Sequence, residues 1–148
     1  MKQDGRLVRM IHVLIHMSLL GGRETSETIG RMLNTNPVVV RRMMGLLKAQ
    51  GIVKSEGGRG GGWTLERSLD DLTVLDVQRA LSEGPVLTPA LSKDHPVCPV
   101  ERAANTAMAR AFAVAEETIK AEFSRLTLAE IAPSAVTSEG AQLEINSI

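Results

Sequence analysis

The sequence predicts a mainly α-helical fold with one small β-hairpin. Aromatic residues make up only 2% of its 148 residues, so the core must be built from Leu, Val, Ile, Met and Ala, which suit helix packing better than large sheets. Hydrophobic residues make up 43%, enough for the core of one domain with an appended element. Five glycines fall within SEGGRGGGWTL, residues 55–65, between two strand-like pieces that read as a hairpin.

Three helices are predicted before the glycine run. Apolar residues recur at helical spacing over 6–20, and a pair of glycines ends that run. The hydroxyl of Thr25 can cap a short helix that extends to residue 33. Pro37 fits the first position of a third helix, which runs to about residue 49, because it needs no amide donor there. The second and third helices are therefore joined by a tight turn.

Two further helices are predicted after the glycine run. Thr73 and Asp76 have the spacing of a capping box and open a helix that ends near residue 81. Prolines exclude regular helix over 84–98. Nothing breaks a helix from Pro99 to about residue 126, a length of about 40 Å. Its apolar positions form a seam that predicts a partner helix from a second copy, and thus a homodimer: Val100, Ala104, Ala107, Ala111, Val114, Ile119, Phe123 and Leu126.

Charge is distributed unevenly although the net charge is zero. Residues 1–67 carry 11 Lys/Arg and 5 Asp/Glu, a net +6, whereas residues 68–148 carry 6 and 12, a net −6. A basic module joined to an acidic one predicts that the first binds a polyanion. No segment approaches the roughly 20 apolar residues that span a bilayer, and the start has no cleavage-site pattern. We therefore expect a cytoplasmic protein without a membrane partner.

The glycine run has three interpretations. A phosphate-binding loop requires Lys and Ser/Thr at its end and then a helix, but Trp63 stands there and a strand follows. A plain hairpin turn is a second possibility. The order of helix, helix, tight turn, helix and glycine-tipped hairpin favours the third, the wing of a winged helix-turn-helix. Trp63 is then expected to anchor the base of the wing against the core.

In that architecture the helix that opens at Pro37 enters the major groove of DNA. Arg41 and Arg42 suit bidentate recognition of guanine, and Val38 suits a thymine methyl. Arg59 at the wing tip suits the minor groove or a phosphate. Alternatively, the two arginines lie on a solvated helix face and contact no DNA. The predicted DNA-binding residues are Thr25, Ser26, Thr35, Asn36, Pro37, Val38, Arg41, Arg42, Lys48 and Arg59, with the hydroxyls and Asn36 assigned to phosphates.

The stretch TSETIGRMLNTNPVVVRRMMGLLKAQGIVKSEGGRGGGWTL, with the capped helix, lone cysteine, long helix and TLAEIA that follow, resembles the Rrf family (type two) of bacterial transcription regulators. The resemblance covers roughly residues 2–132. It implies a homodimer with two winged domains on a pseudo-palindromic operator, and a long helix that crosses to the partner subunit. The expected organisation is a winged domain over 1–83, a proline-rich sensor loop over 84–98, a dimerisation helix and cap over 99–132, and a mobile tail over 133–148.

The chain departs from the members of that family that bind an iron–sulfur cluster. Those members have three closely spaced cysteines before the long helix, whereas this chain has only Cys98, and Glu101 stands at the position of an additional ligand. One thiolate per chain is too few for a [2Fe–2S] cluster, so no cofactor is expected. The position of Cys98 at the N-terminus of the long helix, with His95 nearby, favours the thiolate form and predicts a redox sensor. Two alternatives stay open: Cys98 is an inert packed residue, or it takes part in metal binding. His12 and His16, one turn apart, are expected to be partly exposed structural residues.

The leading functional hypothesis is a homodimeric DNA-binding transcription regulator, acting as a repressor and responsive to thiol chemistry at Cys98. The alternative is a winged-helix dimer used for protein interaction or as a scaffold, without an operator. An enzyme is not expected, because no paired carboxylates, catalytic triad or metal-ligand set converges in the sequence.

Overall fold

The computed structural model describes residues 5–59 and 61–133. Within them lie six helices and one antiparallel two-stranded sheet, so the predicted mainly α fold with a β-hairpin is confirmed. The elements in chain order are α1 (Arg6–Leu20), α2 (Ser26–Leu33), α3 (Pro37–Ala49), β1 (Val53–Glu56), β2 (Gly62–Leu65), α4 (Val74–Leu81), α5 (Pro99–Arg125) and α6 (Leu128–Ile131).

The helices begin where the capping residues predict. Thr25 caps α2, its hydroxyl accepting the Thr28 amide at 3.1 Å, and Pro37 occupies the first turn of α3. Capping boxes open α4, through Thr73, and α6, through Thr127. Each cap satisfies amide donors that a helix N-terminus otherwise leaves unpaired.

The core lies between α1, α3 and α4, with contributions from α2 and the hairpin. Leu128 of α6 is also fully buried in it. Its amide donates to the Leu72 carbonyl at 2.9 Å, and the Ala129 amide donates to the Leu69 carbonyl at 3.1 Å. The segment after α5 is thus part of the winged domain's own core, a connection that the sequence did not predict.

Trp63 packs against the core, as expected, and it also joins the hairpin to the chain around the start of α2. Its amide and carbonyl exchange hydrogen bonds of 2.8 and 3.0 Å with the backbone of Glu24, and its indole Nε1 donates to the Ser26 hydroxyl at 3.0 Å. Gly62 permits this approach: a Cβ there would lie 2.7 Å from the Glu24 carbonyl oxygen, and its φ of 154° is unfavourable for other residues. The hairpin is therefore held at β2 by main-chain and side-chain contacts together.

The apolar seam of α5 does not form one uniform surface. Phe123 packs against the winged domain's core, whereas the positions from Val100 to Val114 are exposed, with Val114 at 68%. Glu116 is the one α5 residue classed as buried. The expectation for the histidines is wrong for His16, which is only 5% exposed because α1 is central to the core.

Among the described residues, no helix is long and apolar enough to cross a membrane. The predicted mobile tail, 133–148, lies outside the described residues except for Pro133.

Candidate nucleic-acid interface

The turn between α2 and α3 depends on close backbone packing. Asn34 adopts a left-handed conformation, with φ 50°, and the Thr35 amide donates to the Gly30 carbonyl at 2.8 Å. A Cβ on Gly30 would lie 2.9 Å from the Thr35 carbonyl oxygen. Glycine at this position therefore sets the angle at which α3 leaves α2. The importance of Gly30 could not be predicted from the sequence, since the close contact arises only when the turn forms.

The outward face of α3 is exposed and mixed in character. Arg41, Arg42 and Lys48 are all exposed, and Val38 is 57% exposed in the first turn. The opposite face buries Val40, Met43, Met44 and Leu47, as helical spacing predicts. Val39 and Leu46 are also exposed, although neither was predicted to face outward.

Two of the basic side chains already have partners within the chain. Arg41 Nη2 donates to Glu27 Oε1 at 2.8 Å, an ion pair between α3 and the first turn of α2. Lys48 Nζ donates to Ser55 Oγ at 2.8 Å, which links the end of α3 to β1. Arg42 makes no ion pair or side-chain hydrogen bond with any residue in the described ranges. Its guanidinium can therefore turn towards a ligand without losing a contact.

The polar residues at the helix starts occupy different environments. Thr25 and Asn36 are exposed caps; Asn36 Oδ1 accepts the Val38 amide at 2.8 Å, which leaves its NH₂ group to donate. Thr35 and Pro37 are half-buried in the turn between the helices. Ser26 is only 8% exposed, and its hydroxyl accepts the Trp63 indole N–H. Its side chain therefore faces Trp63 of the hairpin and not the surface.

The wing carries charge along its length. Arg59 is exposed near the tip, and Glu56, at the loop end of β1, pairs with Arg23, which precedes α2. Burial raises the pKa of the nearby Glu24 carboxyl above its ordinary value. The wing and the segment before α2 thus share an ionic contact in addition to the Trp63 anchor.

The proline-rich segment 84–98 lies along α5 and is fastened to it by three polar side chains. The Glu116 carboxylate accepts the amides of Val86 and Leu87 at 2.9 and 2.7 Å. Farther along, Asn105 exchanges two hydrogen bonds with the Ser92 backbone, at 2.9 and 3.0 Å. Glu101 accepts the Ser92 hydroxyl at 3.0 Å and the His95 amide at 2.8 Å. The segment therefore has a defined path from α4 to the start of α5.

Two opposing effects act on Glu116. Burial alone would raise the pKa of its carboxyl, but the two backbone amides and Lys120, whose Nζ lies 3.6 Å away, lower the pKa below its ordinary value. The carboxylate is thus the form that holds the segment.

The chain matches the family model Rrf2, described as an iron-dependent transcriptional regulator, over residues 4–134. The chain belongs to the Rrf2 family. It is thus a DNA-binding transcription regulator and not an enzyme.

Three known proteins illustrate the relationship. "Putative HTH-type transcriptional regulator YwnA" of Bacillus subtilis is 32% identical over 128 residues, 86% of this chain and 95% of that protein. A crystal structure of a "putative DNA binding protein" is 31% identical with a TM-score of 0.62, covering 83% of this chain and 98% of the other. The structure of CymR, the global cysteine regulator of B. subtilis, has a TM-score of 0.61 at 20% identity, over 89% of this chain and 96% of CymR, and shows the shared fold.

The donor set of this Rrf2 chain does not match an iron–sulfur cluster. Cys98 is the sole thiol of the chain, and two irons need more thiolate or imidazole ligands than it can supply. Glu101 already accepts two hydrogen bonds from segment 84–98. Across residues 5–59 and 61–133, no three His, Cys, Asp or Glu side chains come together as a metal site.

Cys98 occupies the N-cap position of α5, as predicted. It is half-buried, and its side chain makes no capping hydrogen bond. Its amide donates to the His95 carbonyl at 2.9 Å, so the two residues are joined through the backbone. The thiol therefore lies at the junction between the fastened segment and α5.

Proposed function

We propose that this Rrf2 chain is a homodimeric repressor that binds a pseudo-palindromic operator, one winged domain to each half-site. The observation that carries the proposal is the outward face of α3, where Arg41, Arg42 and Lys48 lie exposed beside the wing with Arg59. Repression is the simplest action of such a dimer, because its occupancy of a promoter excludes other proteins from the same DNA.

The proposed contacts follow from side-chain chemistry. Arg41 and Arg42 read guanine edges in the major groove, and Val38 contacts a thymine methyl. Lys48 and Arg59 contact phosphates, with Arg59 also able to enter the minor groove. Thr25, Thr35, Asn36 and the start of α3 at Pro37 contribute to backbone positioning. We leave out Ser26, because its buried hydroxyl already accepts the Trp63 N–H.

Salt dependence tests the DNA contacts. An operator is first selected from random DNA, and its affinity is measured by fluorescence anisotropy at several salt concentrations. Arg42→Ala is expected to weaken binding about tenfold or more and to relax the preference at one base position, whereas Lys48→Ala lowers the salt slope by about 1 per subunit. Arg79→Ala, which removes an exposed arginine of α4, is the matched control and leaves affinity unchanged. Equal loss with Arg42→Ala and Arg79→Ala contradicts the proposed interface.

The exposed stretch of α5 supports the homodimer. Val100, Met108 and Val114 are 76%, 50% and 68% exposed, and small alanines between them permit close approach of a second helix. A second copy offers the same face, as a two-fold interface requires. Val114→Glu is expected to give a monomer in analytical ultracentrifugation, whereas Thr106→Glu, on the polar side of α5, leaves a dimer. A dimer in both variants contradicts this interface.

A scaffold without an operator is the second candidate. Val38, Val39 and Leu46 give the outward face of α3 an apolar component that suits a protein partner. The salt series separates the two functions, because DNA binding weakens steeply as salt rises and apolar contact does not. Failure to select any operator favours the scaffold.

We propose further that Cys98 makes the regulator responsive to thiol oxidation. The Cys98 thiolate attacks a peroxide and cleaves its O–O bond, which gives sulfenic acid and water. A second thiol, from the partner subunit or a small thiol, then displaces the sulfenic hydroxyl as water and forms a disulfide. The change would act at the start of α5 and alter the spacing of the two winged domains. Operator affinity is measured on reduced and peroxide-treated protein, wild type and Cys98→Ser. A decrease confined to oxidised wild type supports the switch, and equal affinity in all four samples refutes it while leaving DNA binding intact.

We propose no iron–sulfur cluster or other cofactor for this chain, on the chemistry of its donors. Anaerobic reconstitution with iron and sulfide, followed by visible absorption and iron determination, is expected to give no bound cluster. Stoichiometric iron and sulfide contradict this proposal.

A further inference from the structure

The ion pair between Glu27 and Arg41 is an unexpected feature of the DNA-facing surface. A carboxylate there repels the phosphates that the surrounding arginines and lysines attract. Both side chains are largely exposed, 58% for Glu27 and 53% for Arg41, and pairs in such surroundings contribute little to folding stability. The pair therefore costs DNA affinity without a matching gain in the stability of the free protein.

The geometry of the contact between Glu27 and Arg41 indicates what compensates for the lower DNA affinity. Glu27 lies in the first turn of α2, where the helix N-terminus favours a negative charge. Its Oε1 accepts from Nη2 of Arg41, which is a flexible side chain rooted on a different helix. Because the tight turn that joins α2 to α3 packs against Gly30 of α2, the acceptor is held in a fixed place relative to the recognition helix.

We propose that Glu27 is a positioning residue that orients Arg41 for bidentate recognition of a guanine; the inference rests on the proposed DNA-binding role of Arg41. One Nη2 hydrogen goes to Glu27. The second Nη2 hydrogen and a neighbouring N–H of the guanidinium remain to donate to O6 and N7 of the base. Orientation before binding reduces the side-chain entropy that Arg41 loses on the DNA. Within the complex, water is excluded and the same ion pair strengthens.

Two opposite effects of Glu27→Ala follow. Affinity for non-specific DNA rises, because a negative charge near the phosphates is gone. The ratio of operator to non-specific affinity falls by about tenfold, since a well-formed bidentate contact provides discrimination of that order or more. Glu27→Gln keeps an acceptor oxygen without the charge and is expected to restore part of the ratio. A merely structural role for Glu27 would not separate the two affinities in this way.

Glu56→Ala is the matched control. Glu56 is exposed on the wing strand and pairs with Arg23 and not with α3. Its removal eliminates the same charge and an equivalent surface ion pair, so non-specific affinity is expected to rise while base preference stays unchanged. Thermal unfolding of each variant confirms that the fold is retained.

The experiment combines binding-site selection with anisotropy on wild type, Glu27→Ala, Glu27→Gln, Arg41→Ala, the Glu27→Ala/Arg41→Ala double variant and Glu56→Ala. Glu27→Ala and Arg41→Ala are expected to relax the same base position, and the double variant loses no more discrimination than Arg41→Ala alone. If Arg41→Ala relaxes a position that Glu27→Ala leaves intact, the inference fails and the DNA-binding proposal stands. If wild type selects no sequence, or Arg41→Ala changes no preference, the role of Arg41 fails and the inference fails with it.

Discussion

The hydrogen bond between Trp63 and Ser26 permits a double-mutant test of how the wing is held. The indole N–H donates to the Ser26 hydroxyl at 3.0 Å, across 37 residues of sequence. Ser26→Ala removes the acceptor, and Trp63→Phe removes the donor and part of the apolar contact with the core. Each single variant loses the same hydrogen bond, so their combination reports the energy of that contact.

The expected magnitude follows from burial. A hydrogen bond of this kind contributes about 1 kcal/mol net, and the indole N–H is only partly shielded from water, so no large unpaired-donor penalty is added. Ser26→Ala is therefore expected to lower the free energy of unfolding by about 1 kcal/mol, or Tm by roughly 3 °C for a chain of this size. In the Trp63→Phe background the same substitution is expected to cost about 0.3 kcal/mol or less.

The assay is urea unfolding of the four proteins, with operator affinity measured against salt in parallel. Ser18→Ala, which alters an exposed serine of α1, is the control and is expected to lie within about 0.5 kcal/mol of wild type. Additive costs of the two single variants would refute the contact. Loss of operator affinity by the same factor at every salt concentration in Ser26→Ala would instead mean that the hydroxyl contacts phosphate, because a neutral hydroxyl releases no counterion and its loss leaves the salt slope unchanged.

Three further outcomes are expected. Gly30→Ala destabilises the fold by about 1–3 kcal/mol, because its Cβ would lie 2.9 Å from a backbone oxygen, whereas Gly45→Ala, with nothing within 4 Å, is neutral or stabilising; equal urea midpoints contradict this. Glu116→Ala speeds hydrogen exchange of the Val86 amide and Glu117→Ala does not; unchanged protection of that amide in Glu116→Ala contradicts the hydrogen bond from Val86 to Glu116. Folding lowers the pKa of Glu116, so the stability that its carboxylate contributes is complete above the ordinary glutamate pKa and is lost as pH falls through the lowered value. The free energies of unfolding of wild type and Glu116→Ala are therefore expected to converge in acid.

Features that depend on neighbours in sequence were predicted well. Helix bounds follow from apolar spacing and from caps such as Thr25 and Thr73, which act within three or four residues of themselves. The wing was predicted from glycines between two short strands. Such features are readable because the interaction that creates each one lies inside a single turn of helix or hairpin.

Contacts across the chain required the tertiary structure. The partners Glu27 and Arg41 are 14 residues apart, and Val86 and Glu116 are 30 apart. No periodicity marks either pair, because the relative placement of their elements depends on how the whole core packs. Ser26 illustrates the consequence: its hydroxyl looks like a phosphate ligand in the sequence, yet packing turns it inward to the indole of Trp63. Local patterns predicted the order of the elements and the basic face of α3. Long-range packing decided which polar groups of that face remain available to contact DNA.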